Sequence, residues 1–82
     1  MRGIVRRVSR ANGFAAIETS AGDYTVAELL GGELEPRDQA EGDLQSLGGR
    51  TLRKLPSGQR LSVFIRDCYA SAARAGELLG PP

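Results

Sequence analysis

Apolar and polar residues alternate over short stretches of this chain, and turn-forming residues separate the stretches. Residues 3–9 carry the β-branched Ile4, Val5 and Val8 and read as a first strand. Ala11-Asn12-Gly13 is a turn signal, because Asn and Gly both tolerate positive φ. A second strand follows over 13–19. After Ser20-Ala21-Gly22-Asp23 a third runs over 23–29. This short, regular spacing favours a meander over a βαβ unit. In the third strand Tyr24, Val26 and Glu28 fall on one side, and Thr25, Ala27 and Leu29 on the other. Tyr24 and Val26 are expected to face the core.

Gly31, Gly32 and Pro36 then mark a loop. Residues 38–46 read as a fourth strand, with Ala40, Gly42 and Leu44 on one face and Gly42 as a bend. Residues 45–60 belong either to the sheet, as a short edge strand, or to a protruding arm. Leu61, Val63 and Ile65 alternate with Ser62, Phe64 and Arg66, which defines a fifth strand over 60–67. The period then changes. Ala72, Ala75, Leu78 and Leu79 share one helical face over 71–79, with Ser71 as cap and Gly80-Pro81 as stop. The pattern as a whole predicts a mainly β fold: a small five-stranded OB-type barrel, residues 1–80, with a short C-terminal α-helix. The helix is expected either across one end of the barrel or extended outward onto a partner.

Charge changes this picture in one respect. The net charge is only +1, but its distribution is uneven. Residues 1–17 hold Arg2, Arg6, Arg7 and Arg10 and no acid. Residues 18–43 hold eight acids against Arg37 alone. Residues 50–66 hold Arg50, Arg53, Lys54, Arg60 and Arg66 and no acid. If the two basic segments lie side by side, one face of the barrel is basic. Ordinary solvation of strand surfaces accounts for the same pattern equally well.

Composition removes most chemistry. The chain has no histidine, so the commonest general base and metal ligand is missing. A single cysteine excludes an intrachain disulfide and the usual zinc spacings. Cys68, beside Asp67, reads as an inert thiol. Gly31-Gly32 and Gly48-Gly49 are isolated pairs and make no phosphate-binding loop. Glu33, Glu35, Asp38, Glu41 and Asp43 form a dense acidic run, better read as a solvated edge than as a metal site. No catalysis, cofactor or metal is therefore expected. The lone cysteine and the absence of an apolar leader segment predict a cytoplasmic protein. The apolar runs are only a few residues long, far short of the roughly 20 that cross a bilayer, so no membrane association is expected.

Residues Gly3-Ile4-Val5-Arg6-Arg7-Val8-Ser9-Arg10-Ala11-Asn12-Gly13-Phe14-Ala15-Ala16-Ile17 resemble the opening of a cold-shock domain, which reads G-T-V-K-W-F-N-x-x-K-G-F-G-F-I. The register matches without a gap. Gly3, Val5, Gly13, Phe14 and Ile17 coincide, and Arg6 keeps the charge of the family's lysine. Asp23-Tyr24-Thr25-Val26 resembles the family's D-V-F-V. The resemblance implies an OB barrel whose exposed sheet stacks single-stranded bases on aromatic rings. This chain departs from the family at the stacking positions. Arg7 and Val8 replace tryptophan and phenylalanine, Ala16 replaces a phenylalanine, and Thr25 and Ala27 replace phenylalanine and histidine. Phe14 is the ring retained.

Two readings follow. In the first, the barrel binds single-stranded RNA or DNA weakly and with little sequence preference. Phe14 stacks a base, Arg6, Arg7 and Arg10 contact phosphates, and Arg53, Lys54 and Arg60 extend the basic track. Phe64 is a second candidate ring, but packing beneath the C-terminal helix is its simpler role. In the second, the barrel has lost nucleic-acid binding and serves as a protein-interaction or structural module, with Ala72, Ala75, Leu78 and Leu79 as the contact surface.

Overall fold

The structure is a computed structural model and describes residues 1–81. Six strands and one helix follow in order: β1 (Arg2–Ser9), β2 (Phe14–Thr19), β3 (Tyr24–Gly31), β4 (Gln39–Glu41), β5 (Gly48–Leu55), β6 (Gln59–Ala70) and α1 (Ala72–Leu79). The strands form a closed barrel in the order β1-β2-β3-β6-β5-β4, and β4 returns to pair with β1. All six pairings are antiparallel. Closure runs through the short β4, which pairs with Arg2–Ile4 of β1 and Arg53–Leu55 of β5.

The strand count is six where the alternation predicts five. The expected strand over 38–46 is only three residues long, and the segment left open as an edge or an arm contributes the eight-residue β5. Gly42 ends β4. It adopts φ +152°, and a Cβ there would lie 2.7 Å from Leu52 Cδ2. Leu44, beyond the bend, still reaches the interior and is fully buried. The long β6 pairs with β3 along one side and with β5 along the other, which makes it the spine of the barrel.

The barrel interior is filled by small and medium aliphatic groups, among them Val5, Ile17, Leu44, Leu52, Leu61 and Ile65. Most come from alternate positions of their strands, as period-two packing requires. In β3 the expected face is reversed. Ala27 packs in the interior, whereas Val26 joins a second, outer cluster with Ala16, Ala75 and Leu79, flanked by Tyr24. Thr25 is also fully buried, and its hydroxyl donates to the Leu44 carbonyl oxygen at 2.6 Å. Alternation fails here for a physical reason. The helix covers the outer side of β3, so both of its faces are buried and both read as apolar.

The helix therefore lies against the outer surface of β2 and β3. It neither caps an end of the barrel nor extends away. Ser71 caps its start by accepting from the Arg74 N–H at 3.0 Å, and Gly80 ends it at φ +79°. Arg7 from β1 donates to the Gly80 carbonyl oxygen, and the Asn12 side-chain amide to that of Leu79 at 3.4 Å. These donors satisfy carbonyls that a helix C-terminus leaves unpaired.

Candidate nucleic-acid interface

The two basic strands, β1 and β5, do not lie side by side, so the condition for a shared basic face is not met: β4, which carries Glu41 and is flanked by Asp38 and Asp43, sits between them. Charges segregated along the sequence are thereby interleaved in space. Glu41 pairs with Arg2 at 3.2 Å on one side and Arg53 at 3.1 Å on the other. These two hydrogen bonds, from Arg53 and then Arg2, hold the Glu41 carboxyl below its usual pKa. Asp43 is also lowered, chiefly by the Gln45 N–H, then by the Ser46 side chain, with Arg50 adding a smaller attraction.

The candidate cations divide accordingly. Arg6 pairs with Glu18 at 2.8 Å, Arg10 with Glu35 at 2.9 Å and Lys54 with Asp38 at 3.3 Å. Arg7 is spent on the helix terminus. Arg60 is exposed and has no acidic partner among the described residues; it stands directly opposite Arg53 across the β5–β6 ladder. The proposed protein-contact face is also partly spent. Ala75 and Leu79 are buried against the barrel, leaving Ala72 exposed and Leu78 half-buried. Cys68 is half-buried, and burial, reinforced by Asp67, pushes its thiol pKa up. No cluster of three potential metal ligands occurs among the described residues.

The aromatic residues are brought together on another part of the surface. The ladder aligns Phe14 of β2 with Glu28 of β3, and Glu28 with Phe64 of β6. Gly49 of β5 completes the row and adds no side chain above the sheet. Phe64 is 38% exposed and does not pack beneath α1, contrary to its expected role. Its ring points outward, as alternation with the buried Val63 and Ile65 requires. Phe14 is half-buried, with part of its ring against the outer cluster.

Arg66 connects the two rings. Its guanidinium carbon lies 4.7 Å from the Phe64 centroid and 6.0 Å from that of Phe14, within the range of cation–π attraction. Glu28 anchors it from below by accepting from Nε at 3.0 Å and from Nη2. The result is an exposed strip of two rings with a flat cation between them, flanked on β6 by Ser62 and Arg60. Both rings are candidates from the sequence, whereas Glu28 and Arg66 are not singled out there, because their place between the rings depends on the pairing of β2, β3 and β6.

Comparison of the chain with protein-family models, with curated proteins and with solved structures returns no match.

Proposed function

We propose that this barrel is a non-catalytic domain that binds single-stranded nucleic acid weakly, through the outer face of β2, β3 and β6. The observation that carries the reading is the registered row Phe14–Glu28–Phe64 with Arg66 lying across both rings. Unpaired bases stack on aromatic rings and on guanidinium planes alike, and this face offers both. Arg60, without an acidic partner among the described residues and on the same side of β6, supplies a phosphate contact. The cold-shock resemblance of residues 3–17 supports the same class of ligand, with the platform displaced from the family's position toward β6. The ion-paired Arg6, Arg10, Arg53 and Lys54 add little free positive potential, which keeps the interaction weak.

Fluorescence anisotropy with labelled single-stranded RNA and DNA across a salt series tests this. Phe64→Ala should weaken binding by roughly tenfold, since each stacking ring contributes about 1–3 kcal/mol. Arg60→Ala should reduce the salt slope by about one. No binding at low salt, with the wild-type protein folded, overturns the proposal.

A second reading as a protein-contact module is favoured by one observation. Leu30 and Leu47 are 60% and 59% exposed. Each is adjacent to a residue that pairs with β6, Gly31 with Ser62 and Gly48 with Ile65, which places both leucines beside the strip. Polar replacement of both leucines would then abolish partner capture and leave oligonucleotide binding unchanged.

A further inference from the structure

A second registered row crosses four strands elsewhere on the barrel. Arg2 of β1 is opposite Glu41 of β4, Glu41 is opposite Arg53 of β5, and Arg53 is opposite Arg60 of β6. With neighbouring strands about 4.8 Å apart, the row is roughly 14 Å long. Directly opposed residues share a face of the sheet, and all three arginines are exposed. Three guanidiniums therefore meet one carboxylate. Glu41 accepts one N–H from Arg2 and one from Arg53. Its side chain is 32% exposed, against 67% for Arg2 and 60% for Arg53, so an approaching solute meets guanidinium first. Arg60 faces Arg53 without an acidic partner among the described residues, and like charges directly opposed across a ladder are destabilising. Arg2 also lines an open hollow of about 720 Å³ with Arg37, Asp38, Gln39, Leu55 and Pro56. The acid of that hollow, Asp38, is engaged by Lys54 at 3.3 Å, whereas Arg37 has no acidic partner among the described residues.

We infer that this row binds phosphate groups, and that a strand stacked on the rings of β2 and β6 continues onto it past Arg60. Guanidinium forks onto phosphate oxygens more effectively than any other side chain. A phosphate seated between Arg53 and Arg60 replaces their mutual repulsion with attraction to a shared anion. Arg2 and Arg37 offer a second position at the hollow. Arg60 lies on the same outer side of β6 as Ser62, Phe64 and Arg66, so the row meets the ring strip at that residue. The path of the strand rests on the proposed function, whereas the phosphate site does not.

Two measurements on the full chain test this. The first is thermal melting with and without inorganic triphosphate at constant ionic strength. The wild-type melting temperature should rise by roughly 5 °C once the ligand exceeds its dissociation constant several-fold. Arg60→Gln should melt about 1–4 °C higher than the wild type without ligand, because it relieves the opposed charges, and should lose at least half of the triphosphate shift. Arg74→Gln removes the same charge from the helix and should keep the full shift. Equal shifts in all three proteins, or no shift in the wild type, would overturn the phosphate site. A lower ligand-free melting temperature in Arg60→Gln would overturn it too, by showing that Arg60 is held by the fold rather than kept for an anion. The second measurement is the salt dependence of binding to a labelled uridine dodecamer. Arg2→Gln should lower the salt slope by about one, and Arg74→Gln should not. Equal slopes in Arg2→Gln and the wild type would overturn the path of the strand and leave binding at the rings intact. Absence of dodecamer binding, with the triphosphate shift present, would overturn the proposed function and leave the row as a site for free polyphosphate.

Discussion

The guanidinium of Arg7, in the first strand, donates to the carbonyl oxygen of Gly80, the residue that ends α1. The two are 73 positions apart. The bond holds α1 against the outer side of β2 and β3. A cation at a helix C-terminus is stabilising both as a donor and through the helix dipole. An eight-residue helix has negligible stability in isolation, so α1 persists only while docked.

Arg7→Ala should therefore cost about 1–2 kcal/mol and loosen the helix first. Amide exchange over residues 75–79 should accelerate while β5 and β6 stay protected. Unchanged exchange in that segment would show that the bond does not secure the helix.

The Thr25 hydroxyl is fully buried and donates to Leu44 O at 2.6 Å. It ties the loop after β4 to the third strand. Thr25→Val preserves the shape and removes the donor, leaving a buried carbonyl unpaired. The expected loss is about 1–3 kcal/mol, measured by urea denaturation. A change below about 0.5 kcal/mol would mean that water reaches Leu44 O.

Gly3 is required by close approach. A Cβ there would lie 2.5 Å from Ile17 Cγ2 and 3.0 Å from both the Glu18 carbonyl oxygen and Leu44 Cδ1. Gly3→Ala should cost about 1–3 kcal/mol, because backbone on one side and filled core on the other leave little room to relax. Gly49→Ala is the control. Nothing lies within 4 Å of its added methyl, and its stability should stay within about 0.5 kcal/mol of wild type.

Stability should fall on acidification through the carboxylates beside β4. The Glu41 pKa lies below its ordinary 4.5 because Arg53 and Arg2 donate to its ionised form. The folded state thus binds that proton less readily than the unfolded chain does. The resulting stabilisation is complete above the unfolded value and lost as pH falls through the lower folded one. Asp43 behaves alike from its ordinary 3.8. In thermal melts from pH 7 to pH 2, Glu41→Gln should show a shallower acid limb, and the difference should shrink in high salt. Parallel melting curves for the two proteins would exclude Glu41 as a source of the acid dependence.

How much of this was legible in the sequence varies by element. Turn chemistry at Asn12-Gly13 and Gly22-Asp23 marked the first hairpins, since those residues encode their own backbone conformations. Alternation from Leu61 to Arg66 placed Phe64 and Arg66 on the outer side of β6. The helix was visible from its period and its caps. The split between β4 and β5 was not, because Gly42 reads equally as a bend within one strand or as its end.

Sequence alone therefore determined a small, mainly β domain with a C-terminal helix, and the residue types available to any site. Tertiary structure alone decided which of those residues meet. Closure placed β4, with Glu41, between two basic strands, so the two basic segments do not lie side by side. Docking of α1 buried the outer side of β3 and reversed the expected assignment of Tyr24 and Val26. Cross-strand register brought Phe14, Glu28 and Phe64 into one row. Each depends on contacts between residues distant in the chain, whereas periodicity and turn propensity report only the conformation and sidedness of neighbours along it.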